Sequence, residues 1–402
     1  MNLIIFTVGY KSLQPFFSTA EPGTMMIKKT AQETALAMAR SVMNRYTPSQ
    51  MLWHYEHGLV LQSIYAVGNE YNETEFAPWV KSMYDTKIQE DGSILSYKHD
   101  EFNLDQINPG KHLFDLYKDS GDKKYLLALD VLRDQLKNHP RTKSSGFWHK
   151  KIYPWQMWLD GLYMQGPFYA RYASQFGPEE DFDDIVRQIV LAESHTKDKK
   201  TGLLYHAWDE SHKQLWANPK TGCSPHFWGR AMGWFCMSVL DVLDWIPDTP
   251  SQSAHRGTLI SIVNSLAQPV MSVQDIKSGL WYQVLDMPNR AHNYLETSAS
   301  AMFVYFLFKS VRCGYVSSSS ELGKRMLQAA CEGYRGLLSR VSEDENGNLH
   351  LSGICSVAGL GGNPYRDGSY EYYIKEAVVS DDFKGVGPFI YASLEAQRSK
   401  LL

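Results

Sequence analysis

The chain has 402 residues, 44% hydrophobic and 21% charged, with a formal net charge of −4, the profile of a soluble globular protein able to bury a large core. Its basic residues are scattered rather than blocked, which argues against a nucleic-acid backbone or an anionic membrane surface as partner, and no apolar run reaches the ~20 residues of a membrane span. The five cysteines are widely spaced without a C-x-x-C pair, which speaks against a disulfide framework or a zinc site and for reduced thiols in a cytoplasmic protein.

Residues Leu3 to Val8 are apolar, but no basic region precedes them and Lys11 and Pro15 stand where a cleavage site would be expected, so they make a poor signal peptide. They read better as an extension over residues 1–24, ahead of a start at Met25 or Met26 and a single domain over 25–402. The first well-marked helix opens at the capping box Thr30-Ala31-Gln32-Glu33 and stops before Pro48. Apolar residues at helical spacing recur over 55–71, 75–87, 111–119, 122–138, 155–175, 180–197, 225–245, 254–273, 295–314, 321–339 and 384–400. Turn chemistry separates them, as in Asn108-Pro109-Gly110 and Ser120-Gly121-Asp122. Two stretches, 201–209 and 278–285, alternate like strands and read as short hairpin pieces on loops. Twelve helices, few strands and no linker predict one all-α domain, either closed into a ring of helical hairpins or left open as a solenoid.

Candidate chemistry lies in the connections. Asp105 stands just before a turn, as a cap or as a site carboxylate. The run from Trp148 and His149 to Met164 places Asp160 inside an expected helix among Trp155, Trp158, Leu159 and Tyr163. An Asp in such surroundings is costly unless paired, and burial tends to raise its pKa, which suits a group that donates and later accepts a proton. A structural cap is the competing reading. His206 beside Trp208 is a satisfied core histidine or a sugar ligand. Trp228 and Trp234 are stacking faces or core, and Arg230 is a fork for a carboxylate or an internal ion-pair partner. The segment from Gly359 to Tyr370 is rich in glycine but lacks the strand-to-helix context of a phosphate loop.

The run Tyr153-Pro154-Trp155-Gln156-Met157-Trp158-Leu159-Asp160-Gly161-Leu162-Tyr163-Met164 resembles the central signature of the unsaturated rhamnogalacturonyl hydrolases of glycoside hydrolase family 105. Trp228-Gly229-Arg230, Gly233-Trp234 and the closing Asp382-Phe383-Lys384-Gly385-Val386-Gly387-Pro388-Phe389 extend the likeness, which spans Met26 to Glu395. Trp155 departs from it, standing where related sequences often carry His or Tyr.

The resemblance implies an (α/α)6 six-hairpin barrel. It implies a substrate whose non-reducing end is a 4,5-unsaturated uronic acid. Asp160 would be the general acid/base. Asp105, His149, Trp158, His206, Trp228, Arg230 and Trp234 would contact substrate, with no metal or organic cofactor. A monomer or weak homodimer is expected. Three alternatives remain open at this point: an unsaturated glucuronyl hydrolase acting on glycosaminoglycan fragments, an inverting glycosidase using Asp160 with Asp105, and a non-catalytic sugar-binding protein.

Overall fold

Thr30 Oγ1 accepts from the Glu33 amide at 3.2 Å while the Glu33 carboxylate accepts from the Thr30 amide at 2.7 Å, so the capping box forms as expected. The computed structural model that shows this describes residues 29–402; the extension expected over 1–24 lies outside the described residues. The chain then runs as six helical hairpins. They pair α1 (Ala31–Arg45) with α2 (Tyr55–Tyr71), α3 (Phe76–Asp85) with α4 (Leu113–Ser120), and α5 (Lys123–Asn138) with α6 (Leu159–Phe176). They continue with α7 (Asp181–Thr196) and α8 (Gly229–Leu243), then α9 (Ser253–Ser272) and α10 (Thr297–Arg312). Last come α11 (Glu321–Leu338) and, past the short α12 (Tyr370–Lys375), α13 (Phe383–Ser399).

The second member of each hairpin belongs to an inner ring. Going round, α2 meets the 3-10 turn Asn108–His112 that leads into α4, that turn meets α6, and α6, α8, α10 and α13 follow in order, with α13 closing back on α2. The architecture is the (α/α)6 barrel, not the open solenoid. Burial follows the layering. The inner α10 is buried continuously from Thr297 to Val311, as a helix covered on all sides must be, whereas the outer α11 buries one stripe, including Met326, Ala330, Tyr334 and Leu337.

Each hairpin runs from outer to inner helix, so all six inner helices point the same way. First-turn residues of different inner helices meet at one mouth: Arg230 Nη1 lies 3.3 Å from Ser298 Oγ, and Lys384 Nζ lies 2.6 Å from Glu56 Oε1. Last-turn residues gather at the opposite end. The outer-to-inner connections, which face the mouth, carry all eight described strands. These pair as β1 (Gln156–Trp158) with β2 (Ala207–Asp209), β3 (Trp281–Tyr282) with β4 (Leu295–Glu296), β5 (Val341–Glu343) with β6 (Leu349–Leu351), and β7 (Ile354–Cys355) with β8 (Val378–Val379).

These strands correct two readings of the sequence. The segments 155–175, 225–245 and 295–314 become helical only at Leu159, Gly229 and Thr297, because the residues ahead of them are extended and largely strand-paired. The stretch 201–209 is no self-contained hairpin; β2 pairs with β1, about fifty residues earlier in the chain, a partner that local periodicity does not reveal.

Close helix contact depends on Gly58 of α2, where an added Cβ would sit 2.5 Å from the Pro109 Cα. Backbone rather than a flexible side chain meets that carbon. Gly58→Ala is therefore expected to destabilise the fold by about 1–3 kcal/mol, measured by denaturant unfolding; an unchanged midpoint would show that the turn Asn108–His112 can slide away at no cost.

Candidate active site

Asp160 is the second residue of α6, at the barrel mouth. The β1–β2 pair brings its partner to it: Trp158 registers with Ala207, and the Leu159 amide donates to the His206 carbonyl at 3.0 Å. His206 Nε2 consequently lies 3.2 Å from Asp160 Oδ2. The angles do not make this a hydrogen bond, and both atoms remain without a hydrogen-bond partner. The imidazole is anchored from its other side, Nδ1 standing 2.7 Å from the Tyr373 hydroxyl. Asp160 keeps 13% of its side chain exposed, whereas His206 is fully buried. An acid that is reachable, held at a helix start and not consumed by a structural bond is what proton transfer to a ligand requires.

Aromatic rings frame the pair. His149 and Tyr153 both stack on Trp158, with centroids 4.5 and 4.8 Å from it. Trp228 lies 4.7 Å from His206 and stacks on Tyr373 at 6.1 Å, its indole Nε1 donating to Gln283 Oε1 at 3.1 Å. Trp158 likewise donates to Gln156 Oε1 at 3.0 Å, so both indoles are fixed in orientation.

Asp105 sits on a 3-10 turn capped by Asn103, and the bridge between Asn103 and Lys150 sets its neighbour. Burial pushes its carboxyl up, but Lys150, with Nζ 2.5 Å from Oδ2, heads a group of cations that outweighs burial and holds it below the usual range. His149, 3.7 Å from the other oxygen, is drawn down to about 4 by burial and so is a neutral imidazole near pH 7. Lys150 is thus the counter-charge that keeps Asp105 ionised.

Two expected contacts are placed differently. Arg230 is no free fork: its terminal nitrogens reach the Cys355 carbonyl, Ser298 Oγ at 3.3 Å and the Ser356 carbonyl at 3.4 Å, and its guanidinium lies 4.8 Å above Trp228. It ties α8 to α10 and to the segment around β7. Trp234 stacks on Tyr163 at 4.8 Å and meets Tyr55 edge-on, one turn deeper on α8, so it supports the site from beneath.

Sequence reasoning missed Tyr373, Tyr55, Lys150 and Arg366. Lys150 adjoins a candidate histidine and could have been weighed with it. Arg366 had a signal that was set aside: the glycine-rich segment. Gly361, Gly362 and Gly368 all take positive φ, which lets the loop fold back. Arg366 Nη2 then donates to the Tyr153 hydroxyl at 2.8 Å, with its guanidinium 6.0 Å from the Trp158 ring. Among the described residues no group of three or more His, Cys, Asp or Glu is placed to hold a metal ion, no helix is long and apolar enough to cross a membrane, and all five cysteines are unpaired.

The comparisons place this (α/α)6 barrel, with Asp160 at an inner-helix start, among the carbohydrate-active hydrolases. Residues 26–400 match the model of Glycosyl Hydrolase Family 88. A glycoside hydrolase from family 105 of C. acetobutylicum is 46% identical, with a TM-score of 0.86 over 90% of this chain and 99% of that one. The chain belongs to this group of glycoside hydrolases. It is also 28% identical to the unsaturated rhamnogalacturonyl hydrolase YesR of Bacillus subtilis, over 78% of this chain and 83% of that protein. The unsaturated glucuronyl hydrolase of Bacillus sp. GL1 shares the fold at 15% identity, with a TM-score of 0.66 over 92% and 96% of the two chains.

The buried histidines give a pH prediction. His57, His139 and His149 are each drawn by burial from the ordinary 6.5 to about 4. Between those values the unfolded chain binds protons that the folded chain refuses, so stability is lost as pH falls from 6.5 towards 4 and the loss then levels off. His149 alone accounts for on the order of 3 kcal/mol of this acid loss. Denaturant unfolding across this range should show a shallower pH slope for His149→Gln than for the native chain; an equal slope would mean that His149 is protonated in the fold.

Proposed function

We propose that this chain removes a 4,5-unsaturated galacturonyl residue from the non-reducing end of rhamnogalacturonan-derived oligosaccharides, by hydrating the C4–C5 double bond. The observation that carries this reading is the asymmetry of the two carboxyl groups. Asp105 is held ionised by Lys150, while Asp160 has no bonded partner and faces His206 alone. An inverting glycosidase needs two carboxyl groups free to act as acid and base. Hydration of an enol ether needs one, used twice.

The protonated Asp160 donates to C4, and positive charge develops at C5, shared with the ring oxygen. Water attacks C5 and gives a proton back to the Asp160 carboxylate. The product is a hemiketal at C5. It opens to a ketone, and the resulting hemiacetal at C1 releases the rest of the sugar. His206, fixed by Tyr373, keeps the acid oriented, and Asp105 orients the water or a ring hydroxyl. The uronate's own charge suits the start of the parallel inner helices, where backbone N–H groups and the positive dipole ends converge. Arg366, whose side chain bonds carbonyls and the Tyr153 hydroxyl but no carboxylate, adds positive charge on the same side.

The galacturonyl and rhamnose preference is supported by the likeness to YesR, whose name carries that activity. An action on glycosaminoglycan fragments has only the shared fold behind it. The unpaired cysteines agree with work in the reducing cytoplasm.

Incubation with an unsaturated galacturonyl-rhamnose disaccharide should abolish the ultraviolet absorbance of the conjugated double bond and release rhamnose. Asp160→Asn should lower kcat by about 10²–10⁴-fold while leaving substrate binding, measured by calorimetry, nearly intact. Full activity in that variant would remove Asp160 from its role, and tight binding without turnover by the native chain would make this a sugar-binding protein.

A further inference from the structure

The inner helices end together at the far side of the ring, around a cavity of about 220 Å³ lined by five cationic side chains and three carboxylates. Most of these charges satisfy one another. Lys309 Nζ, for example, spends its three protons on Asp241 Oδ1 at 2.8 Å, Asp244 Oδ2 at 2.6 Å and the Tyr305 hydroxyl at 2.7 Å. Basic residues in the last turns of α10 and α13 also offset the negative ends of the helix dipoles.

Lys111 fits neither account. It lies on the 3-10 turn Asn108–His112, which runs directly into α4 and so leaves no free helix end there, and only 3% of it is exposed. Its Nζ stands 3.8 Å above the Tyr163 ring and lines the cavity with no hydrogen-bond partner. Two further buried donors share the condition. Arg171 lines the same cavity; its terminal nitrogens are taken by Asp115 and the Lys111 carbonyl, but its Nε has no acceptor. The hydroxyl of Tyr163, the fully buried ring beneath Lys111, has none either, although Tyr163 does not itself line the cavity. Burial draws the Lys111 ammonium down to about 7, against the pull of Asp241, so that carboxylate does not fully compensate it. A buried donor without an acceptor costs ~1–3 kcal/mol, and a charged one more. Two such donors, Lys111 Nζ and Arg171 Nε, belong to residues that line one cavity and leave it short of acceptors.

We propose that this cavity binds a small oxyanion, a carboxylate or phosphate group, on Lys111 Nζ, with Arg171 Nε as the second donor. The ligand would also hold α6 to the turn before α4. The site is separate from Asp160, and its existence does not depend on the activity proposed above.

Thermal unfolding of the full chain in sodium acetate, sodium phosphate or sodium chloride at equal ionic strength tests it. Acetate or phosphate should raise Tm over chloride by about 2 °C or more and in a saturable manner, and the more effective of the two identifies the ligand class. The mouth also carries cations, so the increment must disappear in Lys111→Met. No increment over chloride in the native chain, or the same increment in Lys111→Met, overturns the proposal. Should that variant fail to fold, Lys111→Gln decides. Its half-saturating concentration should rise at least threefold; an unchanged value overturns the proposal equally.

Discussion

Six inner helices that all begin at the same mouth impose the constraint on which the rest of this molecule depends. Parallel helix dipoles side by side repel, and their ends need compensating charge. The mouth supplies it with acidic groups at or beside the helix starts: Glu56 in α2, Asp160 in α6, Glu296 capping α10 and Asp382 capping α13. The far end supplies Lys309 and Arg312 in α10 and Arg398 in α13. Most of the mouth carboxylates are consumed structurally. Glu296 accepts from the amides of Ser298, Ala299 and Cys355, and Glu56 and Asp382 share Lys384. Asp160 alone in this set has no bonded partner, which sets it apart from the carboxylates of the other inner helices.

The same topology decides where variation is possible. Connections at the far end are short turns, while those at the mouth are long enough to carry four strand pairs and the glycine-rich loop. Functional side chains therefore accumulate on one face of a rigid ring. The β1–β2 pair is the clearest case, since its register fixes both the start of α6 and the place of His206. A one-residue slip there would turn Trp158 to the other face of the ladder and separate the acid from its histidine.

Much of this was legible in the sequence. The twelve long helices were readable because each buries a stripe or is apolar throughout, and Asp160 stood out as a carboxyl within such a segment. What stayed hidden depends on contacts between distant residues. Tyr373 reaches His206 across 167 positions, and Arg366 reaches Tyr153 across 213. Arg230 misled for the same reason: a guanidinium offers the same fork to a substrate carboxylate as to a backbone carbonyl, and only the fold brings the Cys355 carbonyl to it. Local pattern shows which residues are unusual, and the tertiary pairing decides what each is for.

The central claim is that water adds to C5 after Asp160 protonates C4, rather than displacing the sugar at C1. Turnover of an unsaturated uronyl disaccharide in oxygen-18 water, quenched early and read by fragment mass spectrometry, tests it most directly. The account predicts the label on C5 of the uronyl product and none on the released sugar. Label at C1 with none at C5 would contradict it.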